Sequence, residues 1–261
     1  MTHTMTHNHL QVDDEQSAEH SHSDGAARYR LKVRPKVSSA YDGNRHLTVL
    51  LLSSLIGVIA PLCCLRTDSS VELLWQTAIV VPVALLYGNF AEYMAHRFGG
   101  HAPKTPRIPG VVSFRKYHAV VHHSFFSSGA WETERPSDLF FVAFPSWIYV
   151  FWALCVATPL TLVGPLLVAG GSTPFLLVTS TLSYTLLQYE ALHAFNHRAL
   201  PPSVQSLLER SPALCSMQDR HRLHHLKADV NFNITWPWTD RLLGTLASEE
   251  IQSKLLRHTS E

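Results

Sequence analysis

Histidine is the residue type in this chain whose number and spacing suit it to chemistry. Seventeen of the 261 residues are histidine, and ten of them form four short groups. The groups are His96 and His101; His118, His122 and His123; His193 and His197; and His221, His224 and His225. Imidazole nitrogen is a ligand for iron, zinc and copper. Ten such ligands exceed what one ion accepts, so the sequence predicts a dinuclear site with about five histidines per ion.

Spacing within the groups indicates how the imidazoles are presented. Residues three or four apart share one face of an α-helix. Three groups contain such residues, and each is expected to hold one ion from one side: His118 with His122, His193 with His197, and His221 with His224 and His225. His96 and His101 are five residues apart. The Gly99-Gly100 pair between them is therefore expected to end the helix and turn the second imidazole back.

Several familiar metal sites are excluded by what the sequence lacks. The zinc-protease motif H-E-x-x-H is absent. A carboxylate-rich di-iron bundle needs two Glu-x-x-His motifs, and only the stretch from Glu190 to His193 matches. A metal transporter or other metal-binding membrane protein is the alternative from a different functional class. Transporters, however, place their ligands near the bilayer midplane, where the spans predicted below have no histidine.

Carboxylates are also expected near the metal ligands. A metal-bound histidine usually donates its second ring N–H to a carboxylate, a backbone carbonyl or water. Four carboxylates are candidates for this role: Glu92, Glu190, Asp219 and Asp240. Each is explained equally well as a solvated charge at a membrane interface.

The histidine groups adjoin long apolar runs, whose helices are expected to position them. These runs predict an all-α membrane protein. Because a bilayer core takes about 20 apolar residues per helix, residues 47–65 and 73–92 each fit one span. Residues 139–189 contain no charged residue and fit two further spans, at 139–158 and 174–192. The predicted fold is a four-span helical domain over residues 46–250. Its cytoplasmic helical cap, residues 96–135 and 197–246, holds the dinuclear site.

Positive charge assigns the two sides of this domain. Twenty of the 21 Lys and Arg residues lie before the first span, in the cap segments or after the last span, and only Arg66 lies in the opposite connections. Cytoplasmic loops are enriched in Lys and Arg, so all four histidine groups are expected to face the cytoplasm. The formal charge of +1 gives no reason to expect nucleic-acid binding. Four cysteines without a C-x-x-C pair do not make a disulfide framework or a zinc ribbon.

The two ends of the chain are expected to be tails. Residues 1–45 are predicted to form a disordered, polar, histidine-containing cytoplasmic tail. Residues 1–27 have no apolar core of the kind that a signal peptide needs. Residues 251–261 are expected to form a short second tail.

Taken together, the histidine groups resemble those of a known family. Boxes of the form H-x4-H, H-x3-H-H, H-x3-H and H-x2-H-H, in this order and divided by a membrane hairpin, are similar to those of the fatty acid hydroxylase/sterol desaturase superfamily. The run NFNITWPWTDRLLGT at 231–245 also resembles the ending of that family. The resemblance extends over residues 70–246 and is specific as a set of boxes rather than one box at a time.

This resemblance implies a non-haem di-iron oxygenase that carries two Fe²⁺ ions on the ten histidines and uses O2 and a lipid. Zinc is expected to replace iron in some purified material. Hydroxylation is the preferred reaction, and desaturation at the same centre is the alternative. A fatty acyl chain, a sphingolipid, a sterol and a carotenoid all stay open as substrates.

The resemblance also implies a source of electrons and a location. The sequence contains neither a G-x-G-x-x-G fingerprint nor a cysteine iron–sulfur set. Electrons are therefore expected from a separate donor of the ferredoxin or cytochrome b5 type. A multi-pass protein of this kind is expected in a bacterial inner membrane or in the endoplasmic reticulum.

Overall fold

Long helices form a bundle in this protein, and shorter helices lie at one end of it. A computed structural model describes residues 25–65, 69–101, 108–127, 130–144, 158, 162 and 172–252. The α-helices in these ranges are α1 (25–33), α2 (Gly43–Cys63), α3 (Ser70–Met94), α4 (Pro109–Arg115), α5 (Thr173–Asn196), α6 (Pro202–Leu208), α7 (Pro212–Leu226) and α8 (Trp238–Leu242). The described residues form no strand, which confirms the predicted all-α class.

Two of these helices continue beyond their α-helical part. A π-helical turn, Ala95–Gly100, follows α3 directly. Another π-helical turn, Lys116–His122, follows α4 and leads into a last α-helical turn, His123–Phe125. Short 3₁₀-helices lie at Arg34–Lys36 and Pro136–Phe141.

The bundle consists of α2, α3 and α5, with α5 packed against both of the others. Asp42 is the N-cap residue of α2, and its carboxylate accepts a hydrogen bond from the Arg45 N–H at 3.0 Å. Small polar residues of α5 lie against its neighbours. Ser180 Oγ donates to the Val58 carbonyl of α2 at 2.6 Å. Small side chains of this kind allow helix backbones to approach closely, which places α5 between the two more apolar helices.

Two helices are long and apolar enough to cross a membrane: α2, and α3 together with its π-helical continuation. Large apolar side chains along α2 face outward, and Leu52, Ile56 and Ile59 are all exposed. A contiguous apolar surface of this kind marks a binding or membrane-facing region. The described residues thus contain two candidate spans where four were predicted, and the four-span topology stays a prediction.

The third and fourth predicted spans have different outcomes. The charge-free run from residue 139 begins in the 3₁₀-helix Pro136–Phe141, where Leu139 and Phe141 are buried with Phe125 and Phe126. These first residues therefore pack among the short helices at one end of the bundle, and residues 145–157 lie outside the described part of the chain. The fourth predicted span coincides with α5. It is absent from the two candidate spans because its Ser, Thr, Gln and Glu side chains make it more polar.

The N-terminal segment differs from its prediction as a disordered tail. Residues 25–33 are helical, and Arg30 is 2% exposed. This segment leads into α2, whose first turn packs against the 3₁₀-helix Pro136–Phe141. A Cβ at Gly43 would lie 2.1 Å from the Pro136 carbonyl oxygen, so only glycine fits there. Residues 1–24 lie outside the described residues. In the predicted C-terminal tail, residues 251–252 are helical and residues 253–261 are not described.

A buried ion pair ties this N-terminal segment to the 3₁₀-helix Pro136–Phe141. Arg34 donates from Nε and Nη2 to the two carboxylate oxygens of Asp138, at 2.9 and 2.7 Å. The Asp138 side chain is 0% exposed. Replacing Asp138 with alanine leaves the guanidinium without its buried partner. The free energy of unfolding in detergent is therefore expected to fall by about 3–5 kcal/mol, as measured by denaturant titration followed by circular dichroism.

An exposed ion pair provides the control for this prediction. Lys227 Nζ donates to Asp229 at 2.8 Å, and the Asp229 side chain is 72% exposed. Exposed pairs are screened by water, so Asp229→Ala is expected to cost less than about 1 kcal/mol. Equal and small losses in the two variants would contradict a structural role for the Arg34–Asp138 pair.

Candidate metal centre

All ten histidines of the four groups lie at the cap end of the bundle. His96 belongs to the π-helical turn after α3, and His101 directly follows that turn. The C-terminal ends of the other carriers supply the remaining ligand candidates: His118, His122 and His123 after α4, His193 and His197 at the end of α5, and His221, His224 and His225 in α7. The structure thus brings together every histidine that the sequence singled out.

The π-helical turns set the register of the first two groups. The His101 N–H donates to the His96 carbonyl at 3.1 Å, and the His123 N–H donates to the His118 carbonyl. This pattern joins residues that are five apart and brings their side chains together. The helix does end at the glycine pair, as expected, but its last turn is π-helical, and His101 follows it with its ring turned back towards His118. Close packing explains a glycine here: a Cβ at Gly100 would lie 3.0 Å from His118 Cδ2.

Ring nitrogens of the histidines converge in two groups. The first group comprises His96, His101, His118, His123 and His224, and the second comprises His122, His193, His197 and His221. Within each group the ligand atoms lie within 4.8 Å of one another. His225 adjoins the second group, since its Nε2 is 3.1 Å from His221 Nε2 and 3.2 Å from His122 Nε2. With His225 included there, each group has the share of ligands that the sequence predicts for one of two ions.

Sequence neighbours are divided between the two groups. His118 belongs to the first group and His122 to the second, and His224 and His221 are divided in the same way. The expectation that each box presents its histidines to one ion is therefore wrong for these two boxes. In the second box the π-helical register separates the residues. In α7, His221 and His225 share a face at a spacing of four residues, whereas His224 projects to one side of it.

Backbone carbonyls fix the tautomer of four rings. Nδ1 donates to the Phe141 carbonyl in His122 at 2.7 Å, to the Trp131 carbonyl in His197 at 2.8 Å, to the Val230 carbonyl in His224 at 2.7 Å, and to the Phe232 carbonyl in His96. A carbonyl oxygen only accepts, so Nδ1 carries the hydrogen in each ring. The neutral ring then has a bare lone pair at Nε2, which is the atom that faces the other histidines.

Distances between the Nε2 atoms fit shared ions. His118 Nε2 lies 2.7 Å from that of His96 and 3.0 Å from that of His101. In the second group, His197 and His221 Nε2 are 2.9 Å apart. Two imidazoles bound at right angles, each about 2.1 Å from one ion, place their nitrogens about 3.0 Å apart. Facing lone pairs repel one another, and a cation between them removes that repulsion.

His193 gives an independent indication that the second group suits a metal ion. It is 1% exposed, and neither ring nitrogen has a hydrogen-bond partner among the described residues. Its ring centroid is 5.0 Å from those of both His197 and His221. An unsatisfied buried polar atom costs about 1–3 kcal/mol, and a metal ion would satisfy the ring nitrogen that binds it.

Burial also keeps these imidazoles in the form that binds metal. Desolvation lowers the pKa of His197 to about 3. It lowers the pKa of His101 to about 3 and that of His224 to about 4. Neutral imidazole is the metal ligand, so the described residues fit metal ions on both charge and geometry.

Two of the predicted carboxylates act on a loop rather than on the imidazoles. Glu92 is 7% exposed and accepts from the N–H groups of residues 234–235 at 2.6 and 3.1 Å. Asp240 is 0% exposed and accepts from the Phe232 N–H at 2.9 Å. Because the Phe232 carbonyl binds His96, these carboxylates position a ligand through the backbone.

The remaining two carboxylates lie in contrasting surroundings. Glu190 is buried in α5, one turn before His193. Burial, together with the nearby Glu190 carboxylate, raises the pKa of Tyr117. Asp219 lies on the exposed side of α7.

Sequence reasoning missed the backbone acceptors and Asn89. Every residue has a carbonyl, so an acceptor such as that of Trp131 leaves no signal in the sequence. Asn89 is 5% exposed, donates to the Trp236 carbonyl at 2.7 Å and accepts from the Thr239 N–H at 3.2 Å. An amide inside the apolar run 73–92 is the signal that could have found it.

Comparison with known families decides the assignment. The sequence model of the fatty acid hydroxylase family matches residues 81–245, which is more than half of the chain and includes all ten clustered histidines. The chain belongs to the fatty acid hydroxylase family. Comparisons with curated proteins and with solved structures gave no match.

Membership confirms the family resemblance seen in the sequence and gives the two histidine groups a chemical context. Fatty acid hydroxylases are metal-dependent oxidoreductases associated with membranes. The fatty acid hydroxylase match begins at residue 81, within α3. Both α1 and α2 therefore precede the matched region.

Proposed function

We propose that this member of the fatty acid hydroxylase family is a membrane-bound, non-haem di-iron oxygenase that hydroxylates a lipid. One observation carries the proposal: ten histidines from four segments converge in two groups, and the Nε2 atoms of nine of them face another histidine Nε2. The groups would each hold one Fe²⁺ ion. Zinc is the expected substitute in purified material, because imidazole binds both metals.

Bound iron would supply redox chemistry that side chains lack, namely the reduction of O2 coupled to oxidation of a C–H bond. Hydroxylation of a substrate RH consumes O2, two electrons and two protons and yields ROH and water. The electrons must come from outside the metal centre. We propose a separate donor of the ferredoxin or cytochrome b5 type that binds at the cap.

Aromatic side chains beside the second histidine group favour an apolar substrate. The rings of Phe144 and Tyr189 are stacked with centroids 5.3 Å apart, and the Tyr189 ring lies 5.6 Å from that of His193. On the other side, the Phe126 ring lies 4.1 Å from that of His197. These rings exclude water from the ligands. Tyr189, which is partly exposed, also offers apolar surface to an acyl chain.

The exposed apolar faces of α2 and α3 support delivery of the substrate from a bilayer. The histidines lie where α2 begins and where α3 and α5 end, so a lipid lying along the bundle would reach them at the cap. Lys and Arg are concentrated in the segments at this same end. The positive-inside rule then supports a multi-pass protein whose metal centre faces the cytoplasm.

Mass spectrometry of host lipids tests the proposed reaction. Iron-supplied cells that express the wild-type chain are compared with cells that express His193→Ala at equal membrane levels. Hydroxylation is expected to give a lipid with one added oxygen atom in the wild-type cells only. A lipid that has lost two hydrogen atoms would support desaturation at the same centre. Identical lipid profiles in the presence of a working donor would contradict both reactions.

A further inference from the structure

We propose that Arg30 is a positioning residue for the metal centre and that it acts on His197 through the loop 130–133. Arg30 lies in α1, which precedes the region matched by the family. The proposal rests on the metal site of the proposed function. It assigns a role to the N-terminal segment, which the sequence had marked only as a tail.

The guanidinium of Arg30 is buried and binds several carbonyl groups at once. Its side chain is 3% exposed. Nε donates to the Phe125 carbonyl at 2.9 Å, and Nη2 donates to the Glu132 carbonyl at 3.0 Å. Nη2 also donates to the Ala130 carbonyl, and Nη1 donates to Glu134 Oε1. The Glu134 carboxylate balances the buried positive charge, and the three carbonyls accept from Nε and Nη2.

This loop is attached to His197 by the residue that lies between the two held carbonyls. The Trp131 carbonyl, flanked by those of Ala130 and Glu132, accepts from His197 Nδ1 at 2.8 Å. The next contact is made by the backbone, since the Thr133 N–H donates to the His197 carbonyl at 2.9 Å. Arg30 therefore holds the loop on one side while the loop holds His197 on the other.

Aromatic packing forms a second connection between the same two residues. The Arg30 guanidinium lies 5.4 Å from the centroid of the Phe126 ring. The centroid of that ring lies 4.1 Å from the centroid of the His197 ring. Phe126 is 0% exposed, so the ring has little room to move. Both connections restrict rotation of the imidazole.

Arginine is suited to this position because of its planar set of donors. A guanidinium presents five N–H groups in a fixed fork, whereas a lysine ammonium is a single nitrogen on a flexible chain. Lysine at position 30 would keep the charge near Glu134 but could not hold the carbonyls of Phe125, Ala130 and Glu132 together. The loop would then fix the Trp131 carbonyl less firmly.

The expected consequence is weaker metal binding in the second group only. His197 Nε2 lies 2.9 Å from His221 Nε2, so rotation of the His197 ring directly changes that group. Loss of groups that orient a metal ligand typically weakens metal binding 10- to 100-fold. Among the described contacts, no ligand of the first group is hydrogen-bonded to the loop 130–133, so its ion is expected to stay bound.

Metal release from purified, fully loaded protein tests the proposal. Wild type, Arg30→Met, Arg30→Lys, Lys32→Met and Arg34→Met are mixed with an excess of chelator, and bound metal is followed over time. One of the two ions is expected to leave Arg30→Met roughly 10- to 100-fold faster than it leaves wild type, with Arg30→Lys between them. Lys32 is exposed in the same helix, so Lys32→Met is expected to match wild type.

Arg34→Met separates positioning from general loss of stability. Arg34 is a neighbouring arginine whose fork holds the carboxylates of Asp138 and Glu134 and none of the loop carbonyls that Arg30 holds. It is expected to lower the unfolding midpoint without accelerating release of a single ion. If Arg30→Met does not accumulate as folded protein, Arg30→Lys decides the outcome.

Two results are distinguished by the behaviour of wild type. Wild-type protein that binds no metal after loading would overturn the proposed function itself. Wild-type protein that binds two ions, together with Arg30 variants that release both ions at the wild-type rates, would overturn the role of Arg30 alone. Equal acceleration of both ions in Arg30→Met and Arg34→Met would also overturn it, because that result indicates a stability effect.

Discussion

Replacing His193 with alanine is expected to reduce oxidation of host lipids to the background of cells that lack the protein. His193 is buried in the second histidine group, and neither of its ring nitrogens has a hydrogen-bond partner among the described residues. A bound ion would provide one. His118→Ala is expected to have the same effect through the first group. Insertion depends on the apolar helices rather than on the ligands, so both variants should reach the membrane. Product per chain is measured by mass spectrometry of lipids from membranes with matched protein content.

Histidines outside the two groups supply the control. His9 lies in the N-terminal stretch that precedes the described residues, and His9→Ala is expected to leave product at the wild-type level. Full activity in His193→Ala or His118→Ala would contradict the assigned ligand set. Loss of activity in His9→Ala would show that removal of a histidine is harmful for a reason other than metal binding.

Removal of the metal is expected to cause the largest change in stability. Ten imidazoles that face one another lose the cations that hold them together. At free metal 1,000-fold above Kd, each site contributes about 4 kcal/mol, so two sites contribute roughly 8 kcal/mol. A loss of that size lowers Tm by about 15–30 °C in a chain of this length. Thermal scans in detergent before and after dialysis against a chelator measure the change.

Adding back different metals separates stability from chemistry. Iron is expected to restore both Tm and lipid oxidation. Zinc also binds imidazole but has no redox chemistry, so it is expected to restore Tm alone. A metal-free protein that melts at the same temperature as the loaded protein would contradict two structural metal sites. Activity restored by zinc would contradict oxidation through a redox metal.

The sequence by itself determined the chemistry of the site and the class of the fold. The ability to bind metal is a property of single side chains, and the ten clustered histidines were singled out by their spacing alone. Apolar runs without charge predicted the helices that the structure describes as α2, α3 and α5. These features can be predicted from the sequence because each depends on residues that are close in the chain. The family resemblance from the same residues was confirmed by the match over residues 81–245.

The structure of the N-terminal segment could not be predicted from local sequence patterns, and the number of spans stays a prediction. Six Lys and Arg residues at 28–46 are compatible with a solvated tail, and nothing nearby in the chain marks Arg30 as buried. Its partners Phe125 and Glu134 are 95 and 104 residues away. Contacts of that range depend on how the cap packs, and local sequence patterns do not contain them.

Only the tertiary structure decided which histidines lie together. An α-helical register pairs His118 with His122, whereas the π-helical turn pairs His118 with His123 and divides the box between the two groups. The rings are then oriented by backbone carbonyls, such as those of Trp131 and Phe232, that any residue type could supply. The sequence specifies which atoms can bind metal because that is side-chain chemistry. Their grouping depends on hydrogen-bond register and on distant backbone acceptors, which exist only once the chain is packed.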